Sequence, residues 1–339
     1  MTIKEEYEVF SQLPIWNVDI LTFAIANKKT LREKKNGAFD CLVIRDHELG
    51  LKLAELKQKL SKTKVTLQFQ IIIDYDNAHA CVFNFYVENS KLLNVIQFDS
   101  ANMNIPISPK KDVSQYVHEY FPSTVFYKIN LALQYDAVNC YAFSFELAKQ
   151  FSKFDSQNLI STFTSSHLTP VRENAFKLNP SYFMDNPAAE FAWMLRYIQN
   201  PLKGDTLTPL QNVYANNHSK KFKEIINEKL VDRMIYSRSQ KVVVKRACNN
   251  LIDEKIVTTK NRVNDLVANT SESELEKLLE KRAAFTCLTN NSSAKNPASE
   301  NYFTAASKKF FSFFSKNTSS ATEPLNVEQL TITGSPPIK

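Results

Sequence analysis

Glycine is scarce in this sequence, which contains only four glycines in 339 residues. No two of them lie close enough together to form the glycine-rich turn that holds phosphate groups against the start of a helix. This scarcity excludes P-loop nucleotide hydrolases and Rossmann-type dinucleotide enzymes as function classes.

Cysteine is also infrequent and never forms a Cys-x-x-Cys pair. The five cysteines are scattered along the chain: Cys41, Cys81, Cys140, Cys248 and Cys287. An odd number of widely spaced cysteines argues against a disulfide framework and a cysteine-type zinc site, and it favours a reducing compartment at the place of action. We therefore expect no metal cofactor.

Long apolar runs are missing as well. No run approaches the roughly 20 residues that a membrane-spanning helix requires. The start of the chain, MTIKEEYEVF, is acidic and polar, so we expect no Sec signal peptide. The composition, with 43% hydrophobic and 23% charged residues, is that of a soluble globular protein with room for one large or two modest domains.

The spacing of apolar residues changes from a helical to a strand period near residue 65. Before this point, GLKLAELKQKL places Leu51, Leu53, Leu56 and Leu60 near one stripe of a helix. After it, VTLQFQIII alternates as a half-buried strand does, and ACVFNFYV, NVIQFDS and TVFYKINLAL predict three further strands. The short connections between the first three strands predict an antiparallel meander.

These patterns predict an α+β fold, with an antiparallel-sheet core at residues 63–155 and a flanking helical lobe. The lobe is assigned to residues 1–62 and to residues 156–287, where PAAEFAWMLRYI and LEKLLEKRAAF have helical spacing. Residues 288–339 are rich in Asn, Ser and Thr and are predicted to be a disordered tail. Within the tail, SKKFFSFFSK is interpreted as a segment that touches membranes weakly, with a recognition peptide as the alternative.

The stretch QYDAVNC places an amide, small polar residues and a thiol directly before an apolar helix. Asn139 is a good N-cap, so Cys140 falls in the first helical turn, where the helix dipole and unpaired N–H groups favour a thiolate. A core position is the simpler explanation for a lone cysteine on an apolar helix. A nucleophile is the alternative, and it requires partner residues.

His79 and Asp99 are the candidate partners of that thiol. A thiolate nucleophile needs a base, and the base needs a third group that fixes its orientation. His79 opens one predicted strand and Asp99 closes the next, so a hairpin makes them cross-strand neighbours, with an ordinary surface pair as the alternative. Gln134 is the candidate side-chain donor that, with the backbone N–H of Cys140, would stabilise an oxyanion.

These residues lie in segments that resemble a known family. QYDAVNCYAFSFELAKQF, AHACVFNFYV and FDSANMN are similar to the nucleophile helix, the histidine strand and the acid-bearing strand end of the YopJ/AvrRxv family of secreted bacterial Ser/Thr/Lys acetyltransferases. That family belongs to the ubiquitin-like-protease clan of cysteine enzymes. The resemblance extends more weakly through NPSYFMDNP and LVDRMIYSRSQKVVVKRACNNLI, and it covers roughly residues 20–255.

The resemblance implies a catalytic core of the ubiquitin-like cysteine protease type and a two-step reaction. Cys140 would take an acetyl group from acetyl-CoA, and His79, oriented by Asp99, would then deprotonate a Ser, Thr or Lys side chain of a host protein. The resemblance also implies activation by inositol hexakisphosphate in the host cell cytoplasm, secretion by a bacterium, and targets that include signalling kinases.

A basic segment at residues 218–246 offers a site for such a polyanion. It holds nine Lys or Arg residues against three acidic ones, while the whole chain has a net charge of +7. Clustered positive charge of this kind binds dense polyanions. Arg233, Lys245 and Arg246 match basic positions of the family, and Lys221 is added from composition. A solvated basic helix face is the alternative, and nucleic acid is not an expected partner because no nucleic-acid module is visible.

Two other functions fit the same residues. Acetyl transfer and proteolysis both pass through an acyl-thioester, so the three residues alone also fit a protease specific for ubiquitin-like proteins. The second alternative is a catalytically silent binding module that keeps only the fold. The basic segment favours the acetyltransferase, because a protease of this kind has no need of a polyanion site.

Overall fold

The computed structural model describes residues 2–11, 16–35, 37–75, 79–101, 112–134, 139–186, 230–236, 242–248, 251–285 and 288. The helices are α1 (Ile3–Ser11), α2 (Val18–Glu33), α3 (Leu49–Leu60), α4 (Val113–Tyr120), α5 (Cys140–Phe151), α6 (Ser156–Ser161), α7 (Ser181–Asp185), α8 (Leu251–Asn269) and α9 (Glu272–Glu280). The strands are β1 (Cys41–Arg45), β2 (Leu67–Tyr75), β3 (His79–Glu88), β4 (Lys91–Ala101), β5 (Val125–Gln134), β6 (Leu168–Arg172), β7 (Ala175–Leu178), β8 (Leu230–Tyr236) and β9 (Val242–Cys248).

A seven-stranded mixed sheet forms the centre of the fold, in the order β1-β2-β3-β4-β5-β7-β6. Strands β2, β3 and β4 form the predicted antiparallel meander, with Ile73 opposite Cys81 and Val82 opposite Phe98. On either side of the meander, β1 and β5 join it in parallel. The α+β class is confirmed. The parallel pairs escape the sequence analysis because parallel and antiparallel strands share the same side-chain period.

Helices cover both faces of the sheet, so β2 is buried on both sides rather than half-buried as predicted. Ile72 packs on the face covered by α2, α5 and α8, while Phe69, Ile71 and Ile73 pack on the face covered by α3 and α4. Three consecutive isoleucines are typical of a strand that is buried on both faces of a sheet. The alternating residues before them favoured the half-buried prediction.

One of the four leucines that helix α3 buries in the core differs from the prediction. Leu53, Leu56 and Leu60 are buried as predicted, but the fourth buried leucine is Leu49, and Leu51 is 77% exposed. Leu49 lies four residues before Leu53 and therefore on the same helix face. Leu51 lies two residues from Leu53 and so points to the opposite side of the helix.

The region at 156–287, predicted to be helical, contains four strands besides its helices. Strands β6 and β7 pair with each other, and β7 extends the central sheet beside β5, with Tyr127 opposite Phe176. Strands β8 and β9 form a separate two-stranded antiparallel sheet. The run VVVKRAC concentrates β-branched residues, which favour strands, so the described part of the basic segment is not a helix face.

Most of the predicted tail and the helix predicted at PAAEFAWMLRYI lie outside the described residues. Leu288, the first residue assigned to the tail, is buried on the side of the sheet that carries α3. Within the part of the chain that the structure describes, no helix has the length and apolarity to cross a membrane. The division into four segments stays a prediction.

Arg282, just after α9, ties this end of the described chain to β1. Its guanidinium donates to the two carboxylate oxygens of Glu48, at 2.9 and 2.8 Å, and to the carbonyl oxygen of Val43, at 3.0 Å. These hydrogen bonds from Arg282 hold the pKa of Glu48 below its ordinary value. The two-pronged geometry makes the pair stronger than an ordinary surface ion pair.

We expect Arg282→Ala to lower the free energy of unfolding by about 1–2 kcal/mol at neutral pH. Because folding lowers the pKa of Glu48, this stabilisation is present above the ordinary glutamate pKa and is lost as the pH falls through the lowered value. Urea unfolding at neutral and acid pH measures both effects. Lys281→Ala, which changes the exposed neighbour, is the control, and an equal loss in both variants contradicts the prediction.

Candidate active site

Four residues singled out in the sequence lie at one edge of the central sheet. Strand β3 runs antiparallel to β4, and β4 runs parallel to β5, so the start of β3 meets the ends of β4 and β5. His79 is the first residue of β3, Asp99 stands near the end of β4, and Gln134 is the last residue of β5. Cys140 begins α5, which packs against β3 and β4. The strand directions therefore bring these four residues to the same edge of the sheet.

The imidazole of His79 is held by Asp99. Its Nε2 lies 3.1 Å from Oδ1 of Asp99, and the same oxygen accepts the backbone N–H of Ala101 at 2.9 Å. The His79 side chain is 2% exposed. Burial by itself would lower the pKa of His79, but the hydrogen bonds with Asp99, Cys140 and Cys81 outweigh burial and raise it. Burial opposes the ionised form of Asp99 as well, yet the hydrogen bond to His79 lowers the pKa of that carboxyl.

Cys81 is a third member of this cluster that was not predicted from the sequence. Its Sγ lies 3.2 Å from Nε2 of His79, the nitrogen that also faces Asp99. Residues two apart in a strand point to the same face, so the spacing of His79 and Cys81 is the signal that could have found it. Burial raises the pKa of Cys81 to about 11, so this sulfur is a thiol at neutral pH.

Cys140 begins α5, the helix that packs against the strand of His79. Cys140 is buried, and its thiol is one of the hydrogen-bonding groups that raise the pKa of His79. Asn139 occupies the N-cap position as predicted, but its side chain makes no capping hydrogen bond. Because Cys140 is the first residue of α5, its thiol lies in the first helical turn, at the positive end of the helix dipole.

Gln134 is buried beside this group, and Ser100 fixes its orientation. The hydroxyl of Ser100 donates to the amide oxygen of Gln134 at 3.0 Å, and both side chains are buried. With the oxygen engaged in this way, the amide nitrogen is the end suited to donate hydrogen bonds. Residues 135–138, which lead from Gln134 to Cys140, lie outside the described residues.

Two hydrogen bonds fix the start of α5 against the sheet. The hydroxyl of Tyr141 donates to a carboxylate oxygen of Asp74 at the end of β2, and the hydroxyl of Ser144 donates to the carbonyl oxygen of Ala80 in β3. Burial, reinforced by the hydrogen bond and charge of Asp74, raises the pKa of Tyr141, so the phenol stays protonated and remains a donor. The helix that begins with Cys140 is therefore tied to the strand that carries His79.

Three of the four basic residues predicted to contact a polyanion lie in the described chain. Arg233 is in β8, and Lys245 and Arg246 are in β9. Arg233 stands opposite Lys245 in the strand register, and Asp232 stands opposite Arg246. The register brings the three basic residues to adjacent positions on two paired strands, while Lys221 lies outside the described residues.

The arrangement at the sheet edge can support nucleophilic acyl chemistry. A thiol, an imidazole and a carboxylate in one cluster supply a nucleophile, a base and a group that orients the base. The buried amide of Gln134 is the kind of donor that stabilises an oxyanion. These groups do not by themselves distinguish transfer of an acyl group to another side chain from transfer to water.

A protein-family model matches most of the chain. The family described as YopJ Serine/Threonine acetyltransferase matches residues 19–265, which include the four residues at the sheet edge as well as β8 and β9. No curated protein sequence matches the chain significantly.

Several solved structures resemble the chain at low sequence identity. An AvrA deletion variant with IP6 and CoA is 13% identical, with a TM-score of 0.44 over 77% of this chain and 96% of that chain. HopZ1a in complex with IP6 is 9% identical, with a TM-score of 0.43 over 79% of this chain and 88% of that chain. HopZ1a with IP6 and CoA is 11% identical, with a TM-score of 0.42 over 78% and 87%. At this distance the structural likeness assigns no function, and the family match carries the assignment.

Proposed function

Because the chain belongs to the YopJ serine/threonine acetyltransferase family, we propose that it moves an acetyl group from acetyl-CoA, through a thioester on Cys140, to Ser, Thr or Lys side chains of host proteins. The observation that carries this mechanism is the 3.1 Å contact between His79 and Asp99 at the edge where α5 begins with Cys140. A thiol beside an imidazole that a carboxylate holds is the minimum set for a covalent acyl intermediate.

In the first half-reaction, His79 takes the proton of the Cys140 thiol, and the thiolate attacks the carbonyl carbon of acetyl-CoA. The C–S bond to Cys140 forms, the C–S bond to CoA breaks, and CoA leaves as a thiol with the proton from His79. The raised pKa of His79 supports the imidazolium that this step requires. Asp99 keeps the ring oriented and stabilises its positive charge.

In the second half-reaction, His79 removes the proton of the acceptor hydroxyl or amine as that group attacks the thioester. The bond between the acetyl carbon and Cys140 then breaks, which restores the free cysteine. In both steps negative charge develops on the acetyl oxygen, and the amide of Gln134 with the backbone N–H of Cys140 would donate to it. The buried bond from Ser100 to Gln134 supports this role, because it turns the amide oxygen away from the donor position.

Inositol hexakisphosphate is proposed as the activator, bound by Arg233, Lys245 and Arg246 together with Lys221. A ligand with several phosphate groups needs several cations in close proximity. The pairing of β8 with β9 supports the proposal, because it makes Arg233 and Lys245 partners across the strands. The resemblance to the family supplies the identity of the polyphosphate.

The family membership also supports a setting inside a host cell. The protein would be secreted by a bacterium and act in the host cytoplasm on a host protein, such as a signalling kinase. Weak membrane contact through SKKFFSFFSK stays a prediction, because that segment lies outside the described residues.

Labelled acetyl-CoA tests this function with the full-length protein. We expect label on the protein itself when inositol hexakisphosphate is present, and no label without it or in Cys140→Ala. Cys41→Ala, which removes another buried thiol, is the matched control and is expected to keep the transfer. Capture of Cys140 by a ubiquitin or SUMO vinyl sulfone, without acetyl transfer, would identify a protease instead. Failure of both reactions, with Cys140 unreactive to iodoacetamide, would identify a silent binding module.

A further inference from the structure

The cluster formed by His79, Cys81 and Asp99 has a use beyond acyl transfer. We propose that it binds a transition-metal ion of the Zn²⁺ type and that the bound metal inhibits the enzyme by occupying its base. The three candidate ligand atoms, a ring nitrogen, a sulfur and a carboxylate oxygen, all lie within 4.8 Å of one another. The metal site rests on this geometry alone, whereas the inhibition rests on the proposed function.

The spacing of the three atoms is close to that of a zinc site. With metal–ligand bonds of about 2.0–2.3 Å, tetrahedral geometry separates ligand atoms by roughly 3.3–3.8 Å. Nε2 of His79 is 3.2 Å from Sγ of Cys81 and 3.1 Å from Oδ1 of Asp99. These two separations need to change by only a few tenths of an ångström to form a ligand set, and the third, between the sulfur and the carboxylate oxygen, is at most 4.8 Å.

In this cluster one nitrogen of the His79 ring serves two polar neighbours. A ring nitrogen either donates one proton or accepts with one lone pair, yet Nε2 of His79 faces both a carboxylate and a thiol. A metal ion between them would take the lone pair of Nε2 and the negative charges of a thiolate and a carboxylate. Imidazole, thiolate and carboxylate are all ligands that Zn²⁺ prefers.

Metal binding at this cluster requires no oxidant or reductant, because only protons are exchanged. Cys81 loses its proton as its sulfur bonds to the metal, and His79 loses a second proton where it is an imidazolium. The two ligand charges, one on Cys81 and one on Asp99, neutralise the two charges of the ion. A water molecule completes the four ligands, as in zinc sites with three protein ligands.

Metal binding at this cluster would stop acyl transfer directly. When Nε2 bonds to the metal, the remaining ring proton sits on Nδ1, so neither nitrogen of the neutral ring has a lone pair free to take a proton and His79 cannot act as a base. Removal of the metal restores the base, which makes the inhibition reversible. The scattered cysteines, which form no Cys-x-x-Cys pair, argued against a cysteine-type zinc site, whereas the proposed site takes a histidine, a cysteine and an aspartate from two neighbouring strands.

Cobalt(II) is the probe for the site, because a thiolate bound to Co²⁺ absorbs in the near ultraviolet. The full-length Cys140→Ala protein is used, so that the nucleophile cannot supply the thiolate. We expect this protein to show a Co²⁺–thiolate band that Zn²⁺ displaces. Adding Cys81→Ala is expected to remove the band and to weaken Zn²⁺ binding by at least about 100-fold. Adding Cys41→Ala instead is expected to leave both unchanged.

Three outcomes overturn the metal site: no band in Cys140→Ala, a band that persists without Cys81, or a band that is lost with Cys41. Cys81→Ser, which preserves side-chain size, is expected to lose the band as well, and thermal unfolding checks that each variant is folded. Neither acetyl-CoA nor turnover enters this experiment. A missing band therefore leaves the proposed function intact, and an inactive protein that shows the band leaves the metal site intact.

The inhibition is measured separately, as label transfer by the wild-type protein at rising Zn²⁺. A metal buffer must set the free Zn²⁺ concentration, because inositol hexakisphosphate itself binds metal ions. We expect transfer to fall as the site fills and to return when a chelator is added. Zn²⁺ that fills the site without reducing transfer overturns the inhibition.

Discussion

His79→Gln is expected to reduce acetyl transfer by about 10³–10⁴-fold, because the variant lacks the base for both half-reactions. Glutamine is similar in length to histidine and can still donate to Asp99, so the local packing is largely preserved. It has no lone pair basic enough to take the proton of Cys140 or of the acceptor. Single-turnover transfer from labelled acetyl-CoA, at saturating inositol hexakisphosphate, measures the loss.

His47→Gln is the matched control, because the side chain of His47 is 65% exposed on the 3₁₀ turn after β1 and pairs with the neighbouring Asp46 rather than with a residue of the cluster. We expect it to transfer acetyl at the wild-type rate. Asp99→Asn is also expected to reduce the rate of acetyl transfer, since the asparagine removes the charge that stabilises the imidazolium. Retention of more than about a tenth of the activity in a folded His79→Gln protein contradicts the assignment of the base.

Tyr141→Phe is expected to destabilise the protein by about 3 kcal/mol, although it removes a single oxygen atom. The hydroxyl of Tyr141 donates to Asp74, and both side chains are buried. Without this donor, a buried carboxylate loses a hydrogen bond that water cannot readily replace, and such a loss costs more for a charged group than for a neutral one. Urea unfolding of the wild-type and variant proteins measures the difference.

Tyr127→Phe provides the control for that prediction, because Tyr127 is half-buried and contacts the rings of Phe163 and Phe176. We expect its effect to stay within about 0.5 kcal/mol. A double-mutant cycle of Tyr141→Phe with Asp74→Asn isolates the pair, with an expected coupling of at least about 1 kcal/mol. Additive effects would show that Tyr141 acts through packing rather than through Asp74.

Local sequence patterns predicted the elements of the core well. Alternation of apolar residues located β2 to β5, and the stretch around Asn139 located the start of α5. The same patterns were wrong about Leu51 and about the helical character of residues 168–178, which form β6 and β7. Leu51 lies only two residues from Leu49, the leucine that is buried instead. Strands β6 and β7 have only five and four residues, and an apolar period is hard to recognise over so short a segment.

The site was partly predictable because its residues sit at the ends of strands. His79 at the start of β3 and Asp99 near the end of β4 are neighbours in any antiparallel pairing of these strands. Cys81 shares the strand face of His79 and could have been found from the two-residue spacing. Ser100 could not be recognised in the same way, because its role depends on which neighbour occupies its face of the sheet. That choice is made by the packing of helices on both faces.

By itself, the sequence determined the order and type of the central elements, because side-chain periodicity and helix-start residues are local properties. It also determined the family to which the chain belongs. Only the tertiary structure decided that β1, β5 and β7 join in parallel, that Tyr141 meets Asp74, and that Cys81 shares one ring nitrogen with Asp99. These contacts join residues from different elements, and they form only when the hydrophobic faces of the helices and the sheet are brought together.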